Sequence, residues 1–285
     1  MMIGVVLTCF NRRQKTIGAL TQLYACVLPE NMKLRVYLTD AASSDGTAEA
    51  VSSTFQDVRV IRGDSSLYWN SGMRQSLAAA YTDGVDFVLW LNDDTMLEPT
   101  AILALLDTYA RQLESAGRHA IVVGTTRDSV TSAPTYGGVI FPIWWKRTTP
   151  QLVDTTTGDV VCETLNGNIV LVPREVYQRI GNLDPAFVHG LGDFDYGFRA
   201  RAAGFYVVAA EGWHGHCSRN GSVGTFQDRR LPLRQRWALV TGPKGRPWKS
   251  WAIFTKRHCG TFWFLYWMWP YFYTLLSSLS RNRKA

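Results

Sequence analysis

Acidic residues are missing from the end of this chain. From Arg229 to Ala285 there are 12 Lys and Arg but no Asp or Glu, and all 23 acids fall in residues 1–228 with the other 18 basic residues. The net +7 therefore divides into a −5 body and a strongly basic tail. That tail also holds six of the 11 tryptophans, Trp237, Trp248, Trp251, Trp263, Trp267 and Trp269. Basic and aromatic residues together suit nucleic acid or an anionic membrane surface. The mixture of Trp and Tyr with Phe and Leu favours the membrane. Cysteine is sparse: Cys9, Cys26, Cys162, Cys217 and Cys259 form no CxxC pair. This excludes a zinc ribbon and a disulfide framework and fits a reducing cytosol. Glycine-rich phosphate loops are absent too, since Leu7–Lys15 contains neither a P-loop nor GxGxxG. Repeats and low-complexity linkers are lacking, and Met2–Leu7 reads as a strand rather than a signal peptide.

What is present is alternation. Val5–Thr8, Leu34–Leu38, Val58–Ile61 and Phe87–Leu91 read as strands, separated by helices over Gln14–Tyr24, Ala48–Phe55 and Gly72–Ala80. Strands alternating with helices predict a parallel, doubly wound sheet. Beyond Gly124 the pattern loosens: Thr125–Thr157 is turn-rich and carries the aromatic knot Phe141-Pro142-Ile143-Trp144-Trp145. Further elements are a strand over Ile169–Val172, a helix over Arg174–Ile180, a helix over Tyr196–Ala203 closed by Gly204, and a strand over Val207–Ala209. The one boundary lies near Asp228, where the composition changes.

Four groups of residues can carry chemistry. Asn92-Asp93-Asp94 follows the buried run Phe87–Leu91, placing two acids at the carboxyl end of a strand, where open α/β sheets bind ligands. They suit a hard divalent cation on phosphate oxygens, or else they cap the helix begun by Glu98-Pro99. Asp40 ends the second strand and can accept from a ribose hydroxyl or a base, or stabilise its own turn. In Gly192-Asp193-Phe194-Asp195, one acid beside a pocket is a candidate general base; the alternative is capping plus a pair with Arg199 or Arg201. His214 and His216 flank Gly215, a spacing that on a strand turns both rings to one side as possible metal ligands, although a histidine is more often structural.

Together these blocks resemble the inverting family 2 glycosyltransferases of GT-A fold, and most of all their rhamnosyltransferase-like branch. The resemblance spans about residues 2–230. It rests on Val5–Arg12, Asp40 with Ser43–Thr47, Leu67–Met73, Leu91–Asp94, and the run from Asn166 to Ala200. It implies a Rossmann-like α/β fold whose mixed, mainly parallel sheet is flanked by helices. Residues 1–228 would form that domain and 229–285 a basic, aromatic helical tail. The resemblance implies that Asp40 contacts the nucleobase, with Thr8, Asn11 and Arg12 lining the nucleotide pocket and Trp69, Asn70 and Gly72 beside the donor. Asp94 would hold Mg²⁺ or Mn²⁺, joined by His216 or, failing that, His214. Asn92 and Asp93 would face the donor, and Asp193 would be the catalytic base. Two departures stand out: Asn92 replaces the first Asp of a strict DxD, and Gly192 replaces the Glu common before the base.

The implied reaction transfers a sugar, rhamnose in this branch, from dTDP-rhamnose or a UDP-sugar to a glycan or polyprenyl-linked acceptor in O-antigen or related cell-surface polysaccharide assembly. The implied location is cytoplasmic, peripheral at the inner face of the plasma membrane, with contact through 249–285. Within that segment Gly260–Leu279 is an uncharged run of 20 residues, nominally long enough to span a bilayer. Pro270 and six Trp or Tyr between Trp263 and Tyr273 favour lying at the interface, against a spanning helix or a purely structural aromatic tail. The alternatives to catalysis are a silent GT-A-like module that binds glycan or lipid, a sugar-1-phosphate nucleotidyltransferase, and nucleic-acid binding by the tail, the weakest of these.

Overall fold

The computed structural model describes residues 1–279 except 144, 147 and 220. Trp144 of the aromatic knot and the terminal Arg281, Arg283 and Lys284 lie outside the described residues. The first half alternates as expected: β1 (Met2–Cys9), α1 (Arg13–Tyr24), β2 (Lys33–Asp40), α2 (Thr47–Thr54), β3 (Arg59–Arg62), α3 (Trp69–Thr82) and β4 (Phe87–Leu91). Then follow β5 (Met96–Leu97), α4 (Ala101–Ala116) and β6 (Ala120–Val123). The turn-rich region holds β7 (Thr126–Arg127), β8 (Pro134–Tyr136), β9 (Gly138–Ile140), β10 (Gln151–Leu152), β11 (Val160–Val161) and β12 (Thr164–Leu165). After it come β13 (Ile169–Pro173), α5 (Arg174–Ile180), α6 (Gly192–Ala202), β14 (Tyr206–Ala209) and β15 (Gly215–His216). The tail is three helices, α7 (Leu233–Thr241), α8 (Trp248–His258) and α9 (Trp263–Leu279).

Eight strands form the main sheet in the order β11-β14-β6-β13-β4-β1-β2-β3. The pairs β1–β2, β1–β4, β2–β3 and β6–β14 are parallel, whereas β13 runs antiparallel between β4 and β6, and β11 runs antiparallel to β14. Helices cover both faces, which is why β4 is buried throughout. Its side chains alternate between two cores: Phe87, Leu89 and Leu91 point into one, Val88 and Trp90 into the other. This geometry brings the carboxyl ends of β1, β2 and β4 and the start of β13 to one edge of the sheet.

Two local expectations change. Helix α6 begins at Gly192, four residues before the expected Tyr196, so Asp193 and Asp195 sit in its first turn instead of a preceding loop. Acids are favourable there because the first-turn N–H groups and the helix dipole are positive. The loosened stretch after Gly124 builds two small sheets, β10-β9-β12 and β5-β15-β7-β8, from strands too short to leave a periodic signal.

The compositional break near Asp228 is bridged by packing. Phe187, Val240, Trp251, Phe254 and Tyr271 make a third core, against which Leu191, Phe194 and Phe198 of the α6 region pack. Trp248 stacks on Tyr271 at 3.8 Å between centroids. Pro270 cannot donate to the carbonyl of Tyr266, one turn earlier, and that carbonyl instead accepts the Trp251 indole N–H at 3.2 Å. Among the described residues no helix is long and apolar enough to cross a membrane. At 1.5 Å per residue, the 17 residues of α9 reach about 26 Å, short of a hydrocarbon core of about 30 Å.

Candidate active site

Where β4 ends, Asn92 donates its N–H to the Asn168 carbonyl at 3.2 Å, tying the loop to the start of β13. Asp93 is buried and Asp94 half-buried at this edge. A single guanidinium nitrogen, Arg12 Nη1, lies 2.9 Å from Asp93 Oδ1 and 2.9 Å from Asp94 Oδ2, and Lys15 Nζ lies 4.0 Å from Asp94. The acids do not cap α4, whose N-terminal flank is Thr100. Burial pushes the Asp93 carboxyl up to about 6; Arg12 opposes this and Asp94 adds to it. Asn92 has its own employment: its Oδ1 accepts the Trp69 indole N–H at 2.7 Å. The departure from a strict DxD is thus the acceptor that fixes Trp69.

Asp193 faces these groups from the first turn of α6. Its Oδ1 accepts from the Phe194 N–H at 2.9 Å and its Oδ2 from the Gly167 N–H at 3.2 Å. Burial raises its carboxyl to about 6, although both N–H groups work to lower it. Asp195 is occupied otherwise. It is fully buried and accepts from Arg199 at 2.8 Å, His258 at 3.0 Å and Arg257 at 3.1 Å. Burial alone would raise its pKa, but the bonds from His258 and Arg199 prevail and hold it below the usual carboxylate range. Of the two acids, Asp193 is the free one.

Glycines make this closeness possible. A Cβ on Gly167 would stand 2.5 Å from the Trp69 ring. One on Gly192 would stand 1.7 Å from Asn70 Oδ1, so the Glu common at that position does not fit beside Asn70 as placed. Asn70 is itself buried, donating to the carbonyls of Asp184 and Phe187 at 3.1 and 2.5 Å. Gly72 lets α3 approach β1, since its Cβ would meet Thr8 Oγ1 at 2.1 Å and Thr8 Cβ at 2.8 Å.

Arg12, Trp69, Asp93, Asp94, Asn168 and Asp193 line one cavity of about 210 Å³. A larger cavity of about 540 Å³ adjoins it, with Arg12, Trp69, Asp93 and His189 common to both. Thr8, Ala41, Leu67 and Tyr68 border one side of the larger cavity; Leu239, Pro243 and Lys244 of the tail border the other. Asp40 lies behind this wall, fully buried. It accepts the Ser43 N–H at 3.1 Å in an Asx-type turn and the Cys9 thiol at 3.4 Å. Asn11 adopts φ 51, a left-handed conformation that Asn tolerates, and braces the loop beyond β2 by accepting from the Ser44 N–H at 2.7 Å.

The histidine pair does not turn toward the acids. His214 is buried with Nδ1 accepting the Thr125 N–H at 3.2 Å, and burial lowers its pKa to about 4. His216 Nε2 lies 3.0 Å from Glu98 Oε1, while its buried Nδ1 has no partner. Neither borders either cavity. The cause is the seating of β15 between β5 and β7, which sequence periodicity does not reveal. Cys217, the next residue, reaches the site instead, with Sγ 3.7 Å from Asp94 Oδ1. Burial and Asp94 raise this thiol to about 11, so it stays protonated.

Among the described residues no three His, Cys, Asp or Glu side chains form a metal cage. Two adjacent carboxylates do fit a magnesium-like ion that takes its other oxygens from water and a diphosphate, provided Arg12 gives way. They do not fit an ion held by protein groups alone.

His189, Lys244, Asn168 and Cys217 are site residues that the sequence did not single out. Burial first, then the nearby charges of Lys244 and Arg12, lower His189 to about 4, so its ring is neutral at physiological pH.

This sheet, with acids at its carboxyl edge and a facing carboxylate on α6, is the GT-A architecture of glycosyltransferases. The model of the glycosyltransferase-like family 2 matches residues 2–216, and the chain belongs to that family. Similar curated proteins are the N-acetylglucosaminyl-diphospho-decaprenol L-rhamnosyltransferases of two Mycobacterium tuberculosis strains, 25% identical over 203 residues, or 63% of this chain. The chain spans 66% of their length, just under two thirds. Among solved structures, S. aureus TarS residues 1–349 in complex with UDP matches 90% of this chain and 70% of that one, with TM-score 0.53 and 10% identity. A further S. aureus TarS structure matches 92% and 44%, with TM-score 0.56 and 11% identity. At such identity the likeness is one of fold.

Proposed function

We propose that this protein is an inverting glycosyltransferase that moves a sugar, rhamnose foremost, from a nucleoside-diphosphate donor such as dTDP-rhamnose or a UDP-sugar to a hydroxyl of a polyprenyl-linked glycan in cell-surface polysaccharide assembly. The observation that carries this is Asp193 facing Asp93 and Asp94 across one small cavity that opens into a larger one. The nucleotide takes the larger space, walled by Thr8 and Ala41 with Asp40 behind, and the sugar takes the smaller. The acceptor oxygen attacks the anomeric carbon from the Asp193 side; the new C–O bond forms as the bond to the diphosphate breaks. Asp193 accepts the hydroxyl proton, and the nucleoside diphosphate leaves with the bonding electrons. Asp93 and Asp94 are engaged by Arg12, and would be engaged by the metal in the loaded site, which leaves Asp193 as a single base with no carboxylate free to form a covalent intermediate, and so predicts inversion.

Asp94, with Asp93, would hold Mg²⁺ or Mn²⁺, whose chemistry here is to neutralise the diphosphate as a Lewis acid. His216 and His214 would join only if β15 shifts. Incubating the protein with a panel of nucleotide sugars and a polyprenyl-linked acceptor tests the reading through nucleoside diphosphate release. Release is expected from one donor class, to be lost with EDTA or in Asp94→Ala and restored to the wild type by Mn²⁺. Release unaffected by EDTA would remove the metal; no release from any donor would remove the transferase reading.

The outer face of α9 supports a membrane setting. Phe264, Leu265, Met268, Trp269, Phe272, Leu275 and Leu276 are exposed and recur every three or four residues, making an apolar stripe on a tail free of acids. We assign 229–285 as the segment that lies on an anionic cytoplasmic membrane face, where a lipid-linked acceptor is found.

A further inference from the structure

The family match ends at residue 216, yet the larger cavity is closed on one side by residues well beyond it. Ala238 and Leu239 come from the last turns of α7, and Gly242, Pro243 and Lys244 from the turn toward α8. This turn is built rigidly. A Cβ on Gly245 would fall 2.2 Å from the Leu239 carbonyl oxygen and 2.6 Å from that of Val240, so only glycine lets the chain fold back on α7. The Arg246 N–H donates to the Val240 carbonyl at 2.6 Å, and the Arg246 carbonyl accepts the Tyr271 hydroxyl at 2.5 Å. The Arg246 guanidinium lies 5.0 Å over the Trp251 ring. Helices α8 and α9 thus hold the turn in place against the cavity.

Lys244 is exposed on this turn, and among the described residues no carboxylate pairs with it. Lys244 lines this cavity together with Arg12 and His189. Arg12 is compensated by Asp93 and Asp94; Lys244 is not. An uncompensated cation on the wall of the cavity assigned above to the nucleotide calls for an anion.

We propose that Lys244 binds the diphosphate of the nucleotide-sugar donor, so that the basic tail completes the donor site as well as facing the membrane. This rests on the donor reading above. A lysine is a mobile point charge suited to phosphate, and its contact would strengthen as the leaving diphosphate gains charge. Diphosphate also occurs in a polyprenyl-linked acceptor, and the place of Lys244 on the wall of the cavity that Thr8 and Ala41 also line favours the donor.

Calorimetric titration of the full chain separates these possibilities. The probes are UDP, dTDP, the nucleosides uridine and thymidine, and farnesyl diphosphate, set against wild type, Lys244→Gln and Lys244→Arg. The expected result is that Lys244→Gln weakens UDP or dTDP about tenfold, the loss of one charge-assisted hydrogen bond, while nucleoside binding is unchanged. Lys244→Arg should retain most of the affinity. Wild-type diphosphate affinity in Lys244→Gln would overturn the Lys244 assignment and leave the donor reading standing. A loss confined to farnesyl diphosphate would overturn it in favour of the acceptor. Failure of wild type to bind either nucleoside diphosphate would overturn both.

Discussion

Asp193 and Asp93 are carboxyls that burial has pushed up to about 6 from an ordinary value of 3.8, and their neighbours give them different work. Asp93 shares Arg12 with Asp94, whereas Asp193 accepts from two backbone N–H groups and, among the described residues, meets no cation. A base acts when ionised, so raising its pKa moves the onset of activity upward in pH. With Asp193 as base, kcat/KM should climb about tenfold per pH unit below about 6 and level off above it. A pH profile between about 5 and 8 that stays flat would contradict this. The acids themselves were legible in the sequence because they follow a buried strand or open a glycine-rich segment. Spacing alone left Asp193 and Asp195 open, and the family resemblance pointed to Asp193; Arg257 and His258, which occupy Asp195, lie 62 and 63 residues further along the chain.

At the scale of elements, legibility follows length. The buried run Phe87–Leu91 announces β4 outright, but two-residue strands such as β7 and β15 exist only through their partners. That is why spacing alone does not show that His214 and His216 are bound by Thr125 and Glu98. The same limit applies to α9, where the sequence shows a uniformly apolar helix but not its division into two faces. Tyr271, Thr274 and Ser277 turn inward, and Trp267 packs against both Trp248 and Tyr271; the stripe from Phe264 to Leu276 turns outward. Replacing Phe264, Met268, Trp269 and Phe272 together by Ser should reduce co-sedimentation with phosphatidylglycerol-containing vesicles by tenfold or more, because each large apolar side chain contributes about 1.5–3 kcal/mol when fully buried. The melting temperature should hardly change, since these side chains are exposed. Unaltered vesicle binding would remove the membrane role of this face.

Taken whole, the molecule couples its tail to the candidate site at two places and braces the tail itself at a third. Arg257 and His258 of α8 secure Asp195 on α6, the helix that carries Asp193. The turn after α7 walls the larger cavity. Arg236, almost fully buried in α7, donates to the Phe226 carbonyl and to the hydroxyls of Ser277 and Ser278, each at 2.8 Å, binding α7 to α9. A composition break therefore marks a change of surface more than a change of core: its charge was plain in the sequence, while the contacts that cross it depend on tertiary packing. Turnover of the Asp193→Asn protein, measured beside its donor affinity, tests most directly whether this assembly is a transferase with a single base. Transfer should fall by about 10²–10⁴-fold while the nucleotide sugar binds within a few-fold of wild type. Transfer at the wild-type rate, with the donor still bound, would contradict it.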